Sequence, residues 1–210
     1  MSSRTVPLPP RASPTVAFAH GRSVLVAEPT LPGTARLAGR LAGALTIAVF
    51  LVALVVRLAF AARARHWLAF PFAGVPSRPA EAASIFLHNL RALSAIGGMV
   101  LMAQSPHWNT GDRQRRRTQP MLQRVGEALL GTAVAANVIV IGASLGAYGT
   151  RMVRAVLPHG PVELAAYSLA LALYLQGRHQ ALRPRLIITI GALSIAALAI
   201  AAVLEAFVNL

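Results

Sequence analysis

The chain contains no cysteine and no lysine, and only six of its 210 residues are acidic. Without cysteine there is no disulfide, no thiolate nucleophile and no Cys-based metal site. The scarcity of charge is more telling. Charged residues make up 12% of the chain and hydrophobic residues 56%, whereas soluble domains carry roughly 25% charged residues. That is too little polar surface to solvate a globule of this size, so lipid must be the solvent for most of the chain. No period-2 alternation suggests a barrel strand, and no Gly-rich phosphate loop or dinucleotide turn is present. Backbone groups in lipid must be satisfied internally. The expected fold class is therefore all-α, a polytopic membrane helical bundle with about five transmembrane helices.

All 20 basic residues are arginine, and the formal net charge is +14. On a soluble protein that balance would suggest nucleic acid. Here the arginines lie between apolar runs, where basic residues set membrane orientation, and no recognition motif accompanies them. No nucleic-acid partner is expected. The avoidance of lysine and the wealth of Ala, Arg, Gly and Pro fit a GC-rich bacterial genome.

A bilayer core of about 30 Å takes about 20 mostly apolar helical residues. Windows near 41–60, 84–103, 127–148, 161–177 and 186–209 qualify or nearly qualify. Residues 1–35 are rich in Pro, Ser, Thr and Arg, lack a sustained apolar period, and read as a disordered cytoplasmic tail. Residues 36–210 form the transmembrane bundle. No apolar core follows the basic start soon enough for a secretory signal. The tail and the loops after the second and fourth windows carry 13 arginines, and the opposite side carries Arg63, Arg65, Arg78, Arg151 and Arg154, which is five. This asymmetry puts the N-terminus in the cytoplasm and the C-terminus outside, in a multi-pass protein of the bacterial cytoplasmic membrane. Arg113–Arg117 reads as a solvated cytoplasmic loop touching anionic headgroups. His66-Trp67 and His107-Trp108 read as interfacial anchors. Gly39 with Gly43, and Gly142 with Gly146, have the spacing that lets helices approach closely, either within one bundle or across a dimer seam.

Two polar clusters stand out, because ionisable groups are costly in a membrane. The first is His88-Asn89-Leu90-Arg91. His88 and Arg91, three apart, share a helix face. His88 can exchange protons near neutral pH, and Arg91 can bind a carboxylate or phosphate with its planar fork. The bland alternative is a helix end near headgroups, with Asn89 bonding another helix and Arg91 snorkelling. The second cluster is Pro158-His159-Gly160-Pro161-Val162-Glu163. Pro161 suits the first helical position, which places Gly160 at the N-cap and Glu163 in the first turn, where free N–H groups favour a carboxylate. His159 can bond Glu163 or reach toward the second helix. Helix capping alone would explain Glu163. The sharper reading pairs His159 and Glu163 as an acid/base unit, completed by His88 and Arg91 if the helices bring the clusters together. Their spacing lacks the further ligand that a metal would need.

Leu157-Pro158-His159-Gly160 followed by Glu163-Leu164-Ala165 resembles the hallmark of the stage II sporulation protein M family. The stretch Ile85–Arg91 followed by Gly97-Gly98 is similar to that family's earlier Asn-bearing helix. That helix often has two adjacent asparagines, and here His88 replaces the first. The resemblance covers roughly residues 80–210. It implies a membrane bundle of five or six helices, working as a component of a multiprotein complex that handles a peptide or cell-envelope substrate. Size and topology also resemble small membrane proteins of linaridin-type peptide clusters, which act in epimerisation or dehydration. The alternative function is thus a membrane-embedded, cofactor-independent peptide-modifying enzyme. His88, His159, Glu163 and Tyr167 would be its acid/base residues. Asn89, Arg91, or the N–H groups of Val162 and Glu163 would stabilise the oxyanion. On either reading the expected partners are the bilayer, a protein partner or second copy, and a peptide substrate, with no cofactor and no metal.

Overall fold

The computed structural model describes residues 29–70, 77–108 and 115–208, with the side chains of 106–120 excepted. The expected tail falls largely outside the described residues, as do Arg113 and Asn209. Every regular element among the described residues is helical. The elements are α1 (Leu31–Val55), a π-helical turn (Val56–Phe60), α2 (Ala61–Leu68), α3 (Pro79–Trp108), α4 (Arg115–Tyr148), α5 (Thr150–Val156), α6 (Gly160–Gly177) and α7 (Pro184–Phe207).

α1 begins ten residues before the first apolar window, because local chemistry starts a helix there. Thr30 is the N-cap and its hydroxyl accepts from Gly33 N at 3.2 Å, with Pro32 in the first turn. The helix then runs on through the π turn, so the first window is one element, Leu31–Leu68. α4 likewise starts before its apolar window. Arg115, Arg116 and Arg117, expected in a loop, occupy its first turn. A helix needs lipid only for its apolar part, so α4 can begin before its apolar window.

Among the described residues, four helices are long and apolar enough to cross a membrane: Leu31–Leu68, Pro79–Ser105, Met121–Tyr148 and Pro184–Phe207. The remaining expected span, the fourth window at 161–177, belongs to a bent pair, α5 and α6, joined at 63°. Pro158 and Pro161 supply no N–H, and the chain breaks there. α6 alone, at 18 residues, is about 27 Å long at about 1.5 Å per residue. Large apolar side chains such as Leu58, Ile188 and Leu129 stand exposed on the outer surfaces of the helices. In water such a surface would drive aggregation; against lipid it is the expected exterior. The helices thus fit a multi-pass membrane protein.

α6 is the central helix, packed against α1, α3 and α7. Its Ala166, Ala170, Leu173 and Tyr174 join Leu93, Ile96 and Val100 of α3 and Ile190 and Leu198 of α7 in one core. The two glycine pairs have different fates. A Cβ on Gly142 would lie 2.7 Å from Val52 Cβ and 2.8 Å from the Val49 carbonyl oxygen, and one on Gly146 would press on the Ala53 carbonyl. These two glycines let α1 and α4 touch within the bundle. A Cβ on Gly39 or Gly43 would meet nothing within 4 Å.

At the Thr30 end, polar side chains tie the helices together. Thr34 Oγ1 donates to Gln176 Oε1 at 2.7 Å. Fully buried Gln104 donates to the carbonyls of Gly177 (2.7 Å) and Gln180 (3.1 Å) and accepts from Leu182 N at 2.7 Å. It thereby holds the α6–α7 turn. Tyr174 donates to Glu127 at 2.7 Å, and Arg178 lies 3.6 Å from the same carboxylate.

Candidate functional site

The opposite end of the bundle is where α3 and α6 begin and α7 finishes. Three helix ends meeting there leave a cavity of about 410 Å³, lined by Ser84, Ile85, His88 and Asn89 of α3, His159 and Glu163 at the α6 start, and Glu205 of α7. The two polar clusters of the sequence, 70 residues apart, therefore share one cavity.

The partners within it differ from those expected. Glu163 does not pair with His159. Its Oε1 accepts from Asn89 Nδ2 at 2.5 Å, which ties α6 to α3. Tyr167, one turn further along α6, donates to the Asn89 carbonyl at 3.2 Å, so its hydroxyl braces α3 and it is not among the cavity-lining residues. His159 turns instead to α7, its Nε2 lying 4.0 Å from Glu205 Oε2. Its buried Nδ1 has no hydrogen-bond partner.

The cap also shifts by one residue. His159, not Gly160, is the N-cap, and Pro161 is the second helical residue. The N–H groups of Val162 and Glu163, expected as free donors, both bond the His159 carbonyl, at 3.0 and 3.1 Å. The first turn closes on its own cap, which removes these two donors from the oxyanion set. Arg91 leaves that set too, since it does not line the cavity. Successive helical residues turn about 100°. With Asn89 fixed toward Glu163, Arg91 is carried about 200° away, while His88 stays beside Asn89. Of the expected donors, only the Asn89 amide remains at the cavity.

Glu205 was missed as a site residue. The signal was available: a carboxylate in the last turn of a helix opposes the macrodipole, and in a chain with six acids such a placement calls for a local reason. Gln104 was also overlooked, for its spacing marks no motif. Among the described residues, no three of His, Asp and Glu are arranged to hold a metal ion. No family model, curated protein or solved structure matches the chain.

Proposed function

We propose that the protein is a membrane-embedded, cofactor-independent acid–base catalyst acting on a peptide, with His88 and His159 as its proton-transfer pair. The observation that carries this reading is the shared cavity: two histidines from different helices, with two carboxylates and an amide, line one space at the end of the bundle. Epimerisation fits such a set. One histidine removes an α-proton and leaves a carbanion delocalised onto the neighbouring carbonyl. The other, protonated, returns a proton to the opposite face. No atom or electron is gained or lost, and the two histidines exchange protonation states, which are reset through solvent. Glu205, 4.0 Å from His159 Nε2, is the carboxylate placed to orient it, and of the expected oxyanion donors the Asn89 amide is the one that lines the cavity. A peptide substrate is supported by the likeness in size and topology to membrane proteins of linaridin-type clusters. The arginine asymmetry supports a bacterial cytoplasmic membrane with the N-terminus inside, which puts the cavity at the outer face.

A second reading is a non-catalytic component of an envelope or peptide-handling complex, in line with the resemblance to stage II sporulation protein M. The bonds of Asn89 to Glu163 and of Tyr167 to Asn89 favour it, because they hold helices together as purely structural polar contacts do in membranes. Single chromosomal substitutions His88→Ala and His159→Ala in the native host separate the readings. Peptides are extracted and analysed for D-residues, and protein level and co-purifying partners are measured in the same cells. Catalysis predicts loss of D-residues at unchanged protein level. Unchanged D-residue content with lost partners would leave the scaffold reading in place.

A further inference from the structure

The cavity has an electrostatic character opposite to that of the chain. Basic groups outnumber acidic ones 20 to 6, yet Glu163 and Glu205 both line this one space and, among the described residues, no arginine does. Glu127, at the other end, has Arg178 at 3.6 Å. Among the described residues the cavity pair has no arginine as an ion-pair partner: Glu163 takes an amide hydrogen from Asn89, and Glu205 has His159 at 4.0 Å. The two carboxylates share this one space.

Carboxylates within membrane helices are costly without a counter-charge, and two like charges in one space add to that cost. The end of α7 adds a third unfavourable contribution to Glu205. A protonated His159 would offset only one of the two carboxylates. A cation entering from outside offsets all three effects. The space is large enough, since about 410 Å³ corresponds to roughly a dozen waters at about 30 Å³ each.

We infer that the cavity binds a cationic amine between Glu163 and Glu205, the ammonium of a peptide N-terminus or of a lysine side chain. The inference rests on the cavity being the substrate site, and it changes what the acids do: they hold the substrate, and the histidines move its protons. An α-ammonium seated between the carboxylates brings the adjacent α-carbon into the space that His88 of α3 and His159 at the α6 start both line. The charge beside that carbon also makes its proton easier to remove.

The test is calorimetric titration of the full-length protein in phosphatidylcholine nanodiscs with three probes. These are Ala-Phe-Ala amide with a free N-terminus, the same peptide acetylated, and acetylated Ala-Lys-Ala amide. The free amine is expected to bind at least tenfold more tightly than its acetylated twin. The lysine peptide decides between the two amine sources by whether it regains that affinity. Glu205→Gln should reduce the preference about tenfold, as should Glu163→Gln, in which the new amide oxygen still accepts from Asn89 and preserves the helix contact. Equal binding of the acetylated and both amine-bearing probes overturns the inference, as does no binding of any probe or a preference unchanged in Glu205→Gln. If the amine preference is absent but His88→Ala still abolishes D-residues, this inference fails and the acid–base reading stands. If the preference is present while both histidine variants keep full D-residue content, the reverse holds.

Discussion

The contact between α1 and α4 can be tested by adding one methyl group at each of four glycines. Gly142 and Gly146 lie on α4 and face α1, while Gly39 and Gly43 lie on α1 with open space around them. Replacing a helical glycine by alanine gains about 1 kcal/mol from backbone propensity, and this gain is common to all four sites. The crowding is not. At Gly142 the new Cβ would meet Val52 Cβ at 2.7 Å and the Val49 carbonyl oxygen at 2.8 Å. At Gly146 it would press on the Ala53 carbonyl and lie 2.9 Å from Val56 Cβ. The helix backbone itself must move, and overpacking of that kind costs about 1–3 kcal/mol. Gly39→Ala and Gly43→Ala should therefore be neutral or stabilising by up to about 1 kcal/mol. Gly142→Ala and Gly146→Ala should each lie about 1–3 kcal/mol below them. Unfolding in mixed dodecylmaltoside and SDS micelles, followed by far-UV circular dichroism, reads the difference directly. If Gly39→Ala destabilises as much as Gly146→Ala, the Gly39–Gly43 face is packed against something and the packing argument is wrong.

Other expectations follow from single contacts. Gln104→Leu should cost about 3 kcal/mol in the same unfolding assay, because it leaves three backbone groups near Gly177, Gln180 and Leu182 without their partner; a loss under about 0.5 kcal/mol would show that water replaces the amide. Asn89→Leu should lower stability by about 1.5–3 kcal/mol through the lost bond to the Glu163 carboxylate, and an unchanged midpoint would mean that this bond does not hold α3 to α6. Tyr167→Phe removes one bond to the Asn89 carbonyl, so it should cost about 1 kcal/mol and leave D-residue formation intact; loss of modification in a stable Tyr167→Phe protein would return Tyr167 to the acid/base set. Alkaline phosphatase fused after Val208 should be active and a green fluorescent protein fusion there dark; the opposite pattern would invert the topology and move the cavity to the cytoplasmic face.

The helical class was legible from composition and pattern, because 56% apolar content with 12% charge points to lipid, lipid permits only helices and closed barrels, and no period-2 alternation suggested a barrel. The apolar windows located the helices because hydrophobic length is a local property. Their ends were less legible. α1 starts at a Thr30 cap and α4 at an arginine-rich turn, since helix initiation follows capping and backbone chemistry while the windows followed hydropathy. Gly160 and Pro161 marked the start of α6, although the cap itself fell on His159. The sequence also singled out His88, Asn89, His159 and Glu163, because polar groups in an apolar chain need a reason. It could not say which of them would meet. Asn89 bonds Glu163, His159 turns to Glu205, and Arg91 faces away, because those outcomes depend on how α3, α6 and α7 are rotated against one another. That rotation is set by the packing of residues such as Leu93, Ala170 and Leu198 in the core, contacts between segments far apart in the chain, and so only the tertiary structure decided the membership of the cavity.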